Sequence, residues 1–424
     1  MLYYLVRPLA RLALKFWFTK IHLVHLDRVP QSDPVIMAIN HPTIFIEPCL
    51  LACYQPRALF FLAKGVLFVT PFVNVLKSLH LIPLYRQKDG GFDKRKSNVG
   101  TFDYCYKKFS ENGAILIMPE GSSKQIRHLR PLTKGFAKMA FGAYEKNKET
   151  RLKILPVGVN FSNADKFRSE VSVGFGKPLE IQDYVELYQQ NPREATQKLT
   201  ADLYNGMLEE IVHVAQKEDW ELADQLLTLS ENETVATPNH VVVENSNKIV
   251  INKDLTKIIG ELTDAAKATL SNKTTAYFNQ LNKLGLSDYS LVHAEKYKLP
   301  TLLFLILTHP LFLIGWLTNI LPYGFGLFCG SKTKDVETRM SVVLGMTFGF
   351  YLIYFPVIVS IGWIHGGWLF LLLALLIPGF GYFSVIYLDI ARRYRGALKV
   401  RQSPSTSIEK LRQSRKEILK QIRK

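Results

Sequence analysis

Between residues 299 and 331, and again between 340 and 388, the sequence contains no Asp, Glu, Lys or Arg. Each run exceeds the ~20 apolar residues that a membrane-spanning helix requires, so the C-terminal third is expected to be embedded in a bilayer. Cysteine is scarce: the four, at 49, 53, 105 and 329, form no CxxC pair and no His-rich ligand set accompanies them. Structural zinc and a disulfide framework are therefore not expected, and the thiols read as small apolar fillers in a reducing compartment. No metal is expected. The N-terminus, MLYYLVRPLARLALKFWFTK, lacks both an uninterrupted apolar core and a small-residue cleavage site, so it does not read as a signal peptide. Arg7, Arg11 and Lys15, four apart, instead make one helical stripe opposite Leu, Tyr and Phe. Residues 1–30 are expected to lie in the membrane interface as an amphipathic helix.

What the sequence does contain is basic charge, with a formal net of +17 over 424 residues. From Arg392 to Lys424 there are twelve Lys/Arg against Glu409 and Glu417, a net of +10 directly after the last apolar run. Such a segment suits anionic lipid headgroups better than nucleic acid. Residues 390–424 are expected as a basic cytoplasmic tail, and no nucleic-acid partner is expected.

Short continuous apolar runs recur at VIMAIN (35–40), ALFFLA (58–63), LHLIPLY (79–85), AILIM (114–118), ILPVGVNF (154–161) and VSVGF (171–175). Runs of this kind suit strands buried on both faces. Helical stretches at 98–112 and 133–148 lie between them, which predicts an α/β domain over 31–228 with a mixed, largely parallel sheet flanked by helices. Residues 182–228 read as amphipathic helix. A linker and helical region covers 229–298, with a possible small hairpin at 229–253 and helix from 254 to 290 ending at the Gly285 turn.

Within the second apolar run, WIHGGW (363–368) places two glycines between two tryptophans. A tight turn there, anchored at an interface, predicts a transmembrane hairpin over 340–389 with arms at about 340–363 and 367–389. If the globular region and the tail share the cytoplasmic side, the number of crossings is even. Residues 299–331 are then expected as a re-entrant or interfacial membrane-embedded hairpin. The protein is placed in the inner (cytoplasmic) membrane, multi-pass, with catalytic domain and tail facing the cytoplasm.

The polar residues that most need explaining follow the first strand, in NHPTIFIEP. A strand ending at Asn40, with proline entering a helix, puts His41 at the carboxyl end of a sheet strand, where parallel sheets keep their chemistry. Glu47 comes six residues later, about 120° off the same helical face. The two side chains can meet only if His41 sits in the turn and folds back over the helix. Alone, such a pair is more often a structural histidine near a carboxylate.

Three further blocks follow in order: LIPLYR (81–86), MPEGSS (118–123) and LPVGV (155–159). With NHPTIFIEP, these resemble the blocks of the glycerolipid acyltransferase superfamily, the PlsC-like lysophosphatidic acid and glycerol-3-phosphate acyltransferases. The likeness covers about residues 30–180. The acid stands one residue later than in the commonest family pattern, with Ile46 at the usual aspartate position, and it is Glu rather than Asp. The longer spacing followed by proline, together with C-terminal membrane segments, resembles a branch that includes fungal-type glycerol-3-phosphate acyltransferases.

The resemblance implies a PlsC-like acyltransferase fold followed by a helical region and C-terminal transmembrane helices. It implies a membrane-bound O-acyltransferase of phospholipid biosynthesis that moves a fatty acyl group from an acyl-CoA or acyl-ACP thioester to glycerol 3-phosphate or 1-acyl-glycerol 3-phosphate. His41 would be the general base and Glu47 the acid that orients it. Arg86 would hold the acceptor phosphate. Glu120, Gly121 and Ser122 would form a second substrate-binding block, with Asn40 and Lys64 beside the reaction centre. Lys124, Arg127, Arg130 and Lys134 read as a solvated face, and Cys49 and Cys53 as bystanders. The implied partners are a lipid membrane, the thioester carrier and a glycerol-phosphate acceptor, and no cofactor is expected. Alternatives are another lysolipid or dihydroxyacetone phosphate as acceptor, or an inactive family member acting as a lipid-binding scaffold.

Overall fold

The computed structural model describes residues 2–85 and 98–422, and the chain divides into two compact units. The first comprises the residues up to Val212 with Val242–Ile249 and Lys334–Ser341; the second comprises His213–Val241, Val250–Thr333 and the residues from Val342 onward.

The first unit begins with α1 (Leu2–Trp17), β1 (Phe18–Val24), β2 (Val35–Ile39), α2 (Ile46–Tyr54), β3 (Leu59–Lys64), α3 (Val73–Ser78) and β4 (Leu81–Leu84). It continues through α4 (Asn98–Ser110), β5 (Ala114–Ile117), α5 (Gly135–Lys146), β6 (Lys153–Phe161), β7 (Ser169–Phe175), β8 (Leu179–Glu180), α6 (Val185–Gln190) and α7 (Pro192–Glu210). β9 (Val241–Glu244) is the last strand. These build one mixed sheet in the order β4-β3-β5-β2-β6-β7-β1-β9, with β8 beside β6. The pairs β2/β5, β2/β6, β3/β4, β3/β5 and β1/β7 are parallel, whereas β6 is antiparallel to β7 and β8.

All five residues of β2 are buried, as an apolar strand flanked on both sides by others requires. Phe136, Met139 and Phe141 of α5 and Leu199, Leu203 and Met207 of α7 join the same core. The start of α7 is set locally: Pro192 stands in its first turn, and the Asn191 side chain accepts the Glu194 N–H. Close approach fixes its end, because a Cβ on Gly158 would lie 2.1 Å from the Glu210 carbonyl oxygen.

The sheet extends beyond the expected 31–228 boundary. FTKIHLV, expected inside the N-terminal helix, is β1, and part of the expected linker is β9 at the sheet edge. Lys20 and His22 are tolerated in β1 because Glu170 on β7 pairs with both, at 3.3 and 3.2 Å. Ser246 receives the other ring nitrogen of His22 at 2.8 Å, and Lys248 also pairs with Glu170. α1 is a helix as expected, but Arg7 donates to the Gln55 carbonyl and Arg11 lies over the Tyr54 ring. Tyr4, Leu5, Leu9 and Leu12 are left exposed.

The second unit is helical, with α8 (Trp220–Glu231), α9 (Lys248–Glu261), α10 (Asp264–Lys283), α11 (Asp288–His293), α12 (Leu299–Ser331), α13 (Val336–Leu375), α14 (Ile377–Gln402) and α15 (Ser405–Ile422). α9 begins and α13 opens within segments of the first unit. α12 and α13 are both long and apolar enough to cross a membrane. The hairpin expected at 299–331 is instead one continuous helix. Pro322 removes the bond that would reach the Thr318 carbonyl, and the Tyr354 hydroxyl donates to that oxygen at 2.8 Å instead.

The WIHGGW turn occurs within α13: backbone geometry leaves the helix at Gly367 (φ 57°, ψ −146°), and Gly362 faces the Phe370 carbonyl across the reversal. The returning arm breaks again before α14, so 367–389 is two helical pieces. Glycines on α12 allow close packing, Gly315 against the Phe380 backbone and Gly326 against that of Val343.

The basic segment 390–424 is not a free tail. It completes α14 and forms α15, whose Ile408, Leu411, Ile418 and Leu419 are buried. Arg415 is buried too, with Nε 2.8 Å from Asp288 Oδ1, and Tyr277 donates to the same oxygen.

Candidate active site

Parallel strands β2, β3, β4, β5 and β6 end on the same edge of the sheet, and the residues after β2 and β5 meet there. Asn40 anchors the turn: its side-chain amide donates to the Val159 carbonyl at 2.9 Å, and its oxygen accepts the Val159 N–H at 2.7 Å. This pairing holds the end of β2 against β6 and commits both polar atoms of Asn40 to backbone.

His41 lies in the turn and reaches back over the helix start. Its Nδ1 stands 3.6 Å from Oε1 of Glu47 and, among the described residues, has no hydrogen-bond partner. Glu47 is fully buried. Its charge is met by Thr43, whose N–H donates to Oε1 and whose hydroxyl donates to Oε2 at 2.5 Å. The same hydroxyl accepts the Ile46 N–H at 3.3 Å, so Thr43 and Glu47 form a reciprocal cap with one residue more than the usual capping box. Thr43 was not among the expected site residues. Its signal was present in TIFIE, a threonine and a glutamate bracketing a helix start.

The loop after β5 holds His41 by its backbone. The His41 N–H donates to Glu120 Oε1 at 2.8 Å, and the His41 carbonyl accepts the Lys124 N–H at 3.0 Å. Glu120 Oε2 receives Nε of Arg130 at 2.8 Å and the Arg130 N–H at 3.2 Å. Arg130 also donates through Nη1 to the Ser122 hydroxyl at 2.7 Å and through Nη2 to the Ser122 carbonyl. Arg130 therefore departs from the solvated face expected for it: its guanidinium is the internal strut of the EGSS turn. Gly121 sits at φ 74°, a left-handed position that favours glycine.

Lys64 ends β3 on the same edge and is exposed. The Tyr85 ring fills the space a Cβ on Gly65 would need. Arg86 lies outside the described residues. Burial pushes the Cys53 thiol up to about 11 and raises that of Cys49 well above its ordinary value. Both thiols are protonated at neutral pH and unsuited to nucleophilic attack. Among the described residues, no group of three or more His, Cys, Asp or Glu could hold a metal ion.

The arrangement offers a histidine backed by a desolvated carboxylate, at the carboxyl end of the parallel strands, with a cation-braced turn beside it. Residues 20–160 match the acyltransferase family model. The chain is 24% identical over 216 residues to glycerol-3-phosphate O-acyltransferase 2 of Saccharomyces cerevisiae, covering 50% of this chain and 28% of that protein. It is 27% identical over 194 residues to glycerol-3-phosphate O-acyltransferase 1 of the same organism, covering 45% and 25%. The chain thus spans about a quarter of the length of these curated relatives. Among solved structures, the 1-acyl-sn-glycerophosphate acyltransferase PlsC of Thermotoga maritima aligns with a TM-score of 0.36 and 16% identity, over 49% of this chain and 79% of that one. Over the matched domain and its four ordered motifs, the chain is similar to the acyltransferases of glycerolipid synthesis.

Proposed function

We propose that the protein transfers a fatty acyl group from an acyl thioester, on coenzyme A or acyl carrier protein, to a hydroxyl of glycerol 3-phosphate or its 1-acyl form. The observation that carries this reading is the His41/Glu47 pair, a histidine 3.6 Å from a fully buried carboxylate at the end of β2. The names of the curated relatives support a glycerol-phosphate acceptor. With Nδ1 turned to Glu47, Nε2 is the nitrogen that takes the proton from the attacking hydroxyl. The hydroxyl oxygen bonds to the thioester carbonyl carbon, the C–S bond breaks, and the departing thiolate recovers the proton from His41. Glu47 holds the tautomer and stabilises the imidazolium. The acceptor hydroxyl is the nucleophile, consistent with protonated Cys49 and Cys53. In this reading Lys64, Gly121 and Ser122 border the substrate, and Arg86 takes the acceptor phosphate. Glu120 acts through the His41 N–H that it accepts, and Asn40 acts through the Val159 backbone that it holds at the end of β2.

The apolar helices α12 and α13 and the exposed apolar stripe of α1 support work at a membrane, where an amphiphilic product leaves sideways into lipid. The inner membrane and a cytoplasm-facing catalytic domain complete the proposal. The test is thiol release by wild type and His41→Ala in nanodiscs, with glycerol 3-phosphate and 1-acyl-glycerol 3-phosphate offered side by side and each carrier supplied in turn. Turnover in wild type that His41→Ala abolishes supports the reading and names acceptor and donor. Equal release by both proteins sinks it.

A further inference from the structure

Eight residues far along the chain, Lys334–Ser341, belong to the same compact unit as the candidate active site. Val336–Ser341 are the opening turns of α13, a helix long and apolar enough to cross a membrane. Nothing in the four acyltransferase motifs accounts for their presence there.

Their contacts fall on the two loops that flank His41. On one side, Phe45 is the N-cap residue of α2 and its own side chain caps nothing. The first amides of a helix have no partner within the helix. The Phe45 N–H finds its acceptor in the hydroxyl of Ser341 at 3.2 Å, and Ser341 is buried. Phe45 lies between Thr43 and Glu47, so this bond holds the turn in which Thr43 grips the Glu47 carboxylate. On the other side, Glu337 Oε1 accepts the Gln125 N–H at 3.4 Å and lies 4.0 Å from the Lys124 ammonium. The Lys124 N–H is the group that fixes the His41 carbonyl. A third tie, Arg339 to Asp165 at 3.7 Å, fixes the segment beyond β6.

We propose that Ser341 and Glu337 are positioning residues of the active centre, which hold from the first turns of α13 the two loops that set the His41 and Glu47 geometry. Ser341 acts through Phe45 and Thr43 on the acid, and Glu337 acts through Lys124 on the base. Neither touches the reacting atoms. The proposal takes the acyltransferase reading above as its chemistry, but its geometry stands on these hydrogen bonds and ion pairs alone.

The experiment uses the full-length protein in nanodiscs with Ser341→Ala, Ser341→Thr, Glu337→Ala and Glu337→Gln. Hydrogen exchange is followed in peptides covering residues 41–50 and 120–128, and thioester turnover is measured in parallel. Ser341→Ala is expected to speed exchange at the Phe45 amide and to lower kcat roughly five- to tenfold, the worth of one helix cap, with KM little changed. Ser341→Thr keeps the hydroxyl and restores both. Glu337→Ala is expected to loosen residues 120–128 and lower kcat, while Glu337→Gln, which keeps an acceptor oxygen, does so less. Unchanged exchange in both peptides overturns the proposal whatever the activity. Faster exchange with unchanged kcat also overturns it, by reducing the contacts to scaffolding. If the wild type turns over no thioester, the acyltransferase reading has failed, and the exchange results still decide whether this segment holds the loops.

Discussion

Nδ1 of His41 lies 3.6 Å from Oε1 of Glu47, within ion-pair range yet beyond a hydrogen bond. The carboxylate is held off by its own partner, since Thr43 donates to both of its oxygens. In the proposed mechanism, protonation of the ring by the acceptor hydroxyl would supply the attraction that closes this gap, which would place the acid's contribution in the transition state rather than in the resting site.

Glu47→Gln is therefore expected to lower kcat about 100-fold or more while KM for the thioester changes little. Thr43→Val frees the carboxylate from its grip and is expected to cost roughly tenfold, with Thr43→Ser close to wild type because the hydroxyl remains. Steady-state thiol release from the purified proteins decides this. Indistinguishable kcat values across the set would remove the acid from the mechanism.

Arg130→Met strands the Glu120 carboxylate, which has lost nearly all contact with solvent. Breaking a pair of this kind costs about 3–5 kcal/mol. Arg130→Lys is expected to recover little, because one ammonium cannot serve Glu120 and Ser122 at the positions the guanidinium spans. The double change Glu120→Gln with Arg130→Met should be more stable than Arg130→Met alone. Thermal melts of the three variants check the order, and a melt of Arg130→Met at the wild-type temperature contradicts it.

The carboxyl of Glu170 responds to pH in a defined direction. Burial raises its pKa, but hydrogen bonds and charge from His22, Lys248 and Lys20 outweigh burial and hold it far below the ordinary carboxylate value of 4.5. A depressed folded-state pKa stabilises the fold at pH above that value, and the contribution drains as pH falls below it. Wild type should accordingly be more stable than Glu170→Gln at neutral pH, and the gap should narrow on acidification below about pH 4.5. Denaturant melts at a series of pH values measure it; a gap that widens toward acid contradicts the assignment.

In the second unit, Arg415 on α15 joins Asp288 through Nε at 2.8 Å and Nη2 at 3.3 Å, and Nη2 donates to the Leu229 carbonyl at 2.7 Å. Among the described residues, Arg415→Ala leaves buried Asp288 with Tyr277 and Asn232 as side-chain donors. The expected loss is about 3–5 kcal/mol, visible as earlier unfolding by circular dichroism and as proteolysis within 405–422. A free lipid-binding tail would show no such loss.

The sheet edge that carries the candidate site was legible in the sequence because it obeys local rules. VIMAI is continuous and apolar, and Asn-His-Pro punctuates it. MPEGSS repeats that logic after β5. β1 was not legible, since Lys20 and His22 become acceptable in a buried strand only through Glu170, 148 positions beyond His22. Arg130 was hidden for the same reason: nothing in RHLRPLTK distinguishes a strut from a solvated cation until Glu120 and Ser122 fold back onto it. The helix α15 carried an apolar spacing in Ile408, Leu411, Ile418, Leu419 and Ile422, but net charge dominated the reading. The site residue with no local signal at all is Ser341, whose partner is remote in sequence.

That remoteness has a meaning in time. Phe45 and Ser341 are 296 positions apart, and a ribosome adding about 5–20 residues per second makes the second roughly 15–60 s after the first. During that interval the nascent chain can pair its strands and bury β2, yet the amide at the head of the helix bearing Glu47 still waits for its acceptor. Completion of the turn that carries His41 and Glu47 therefore waits until the opening of the second apolar helix has been made.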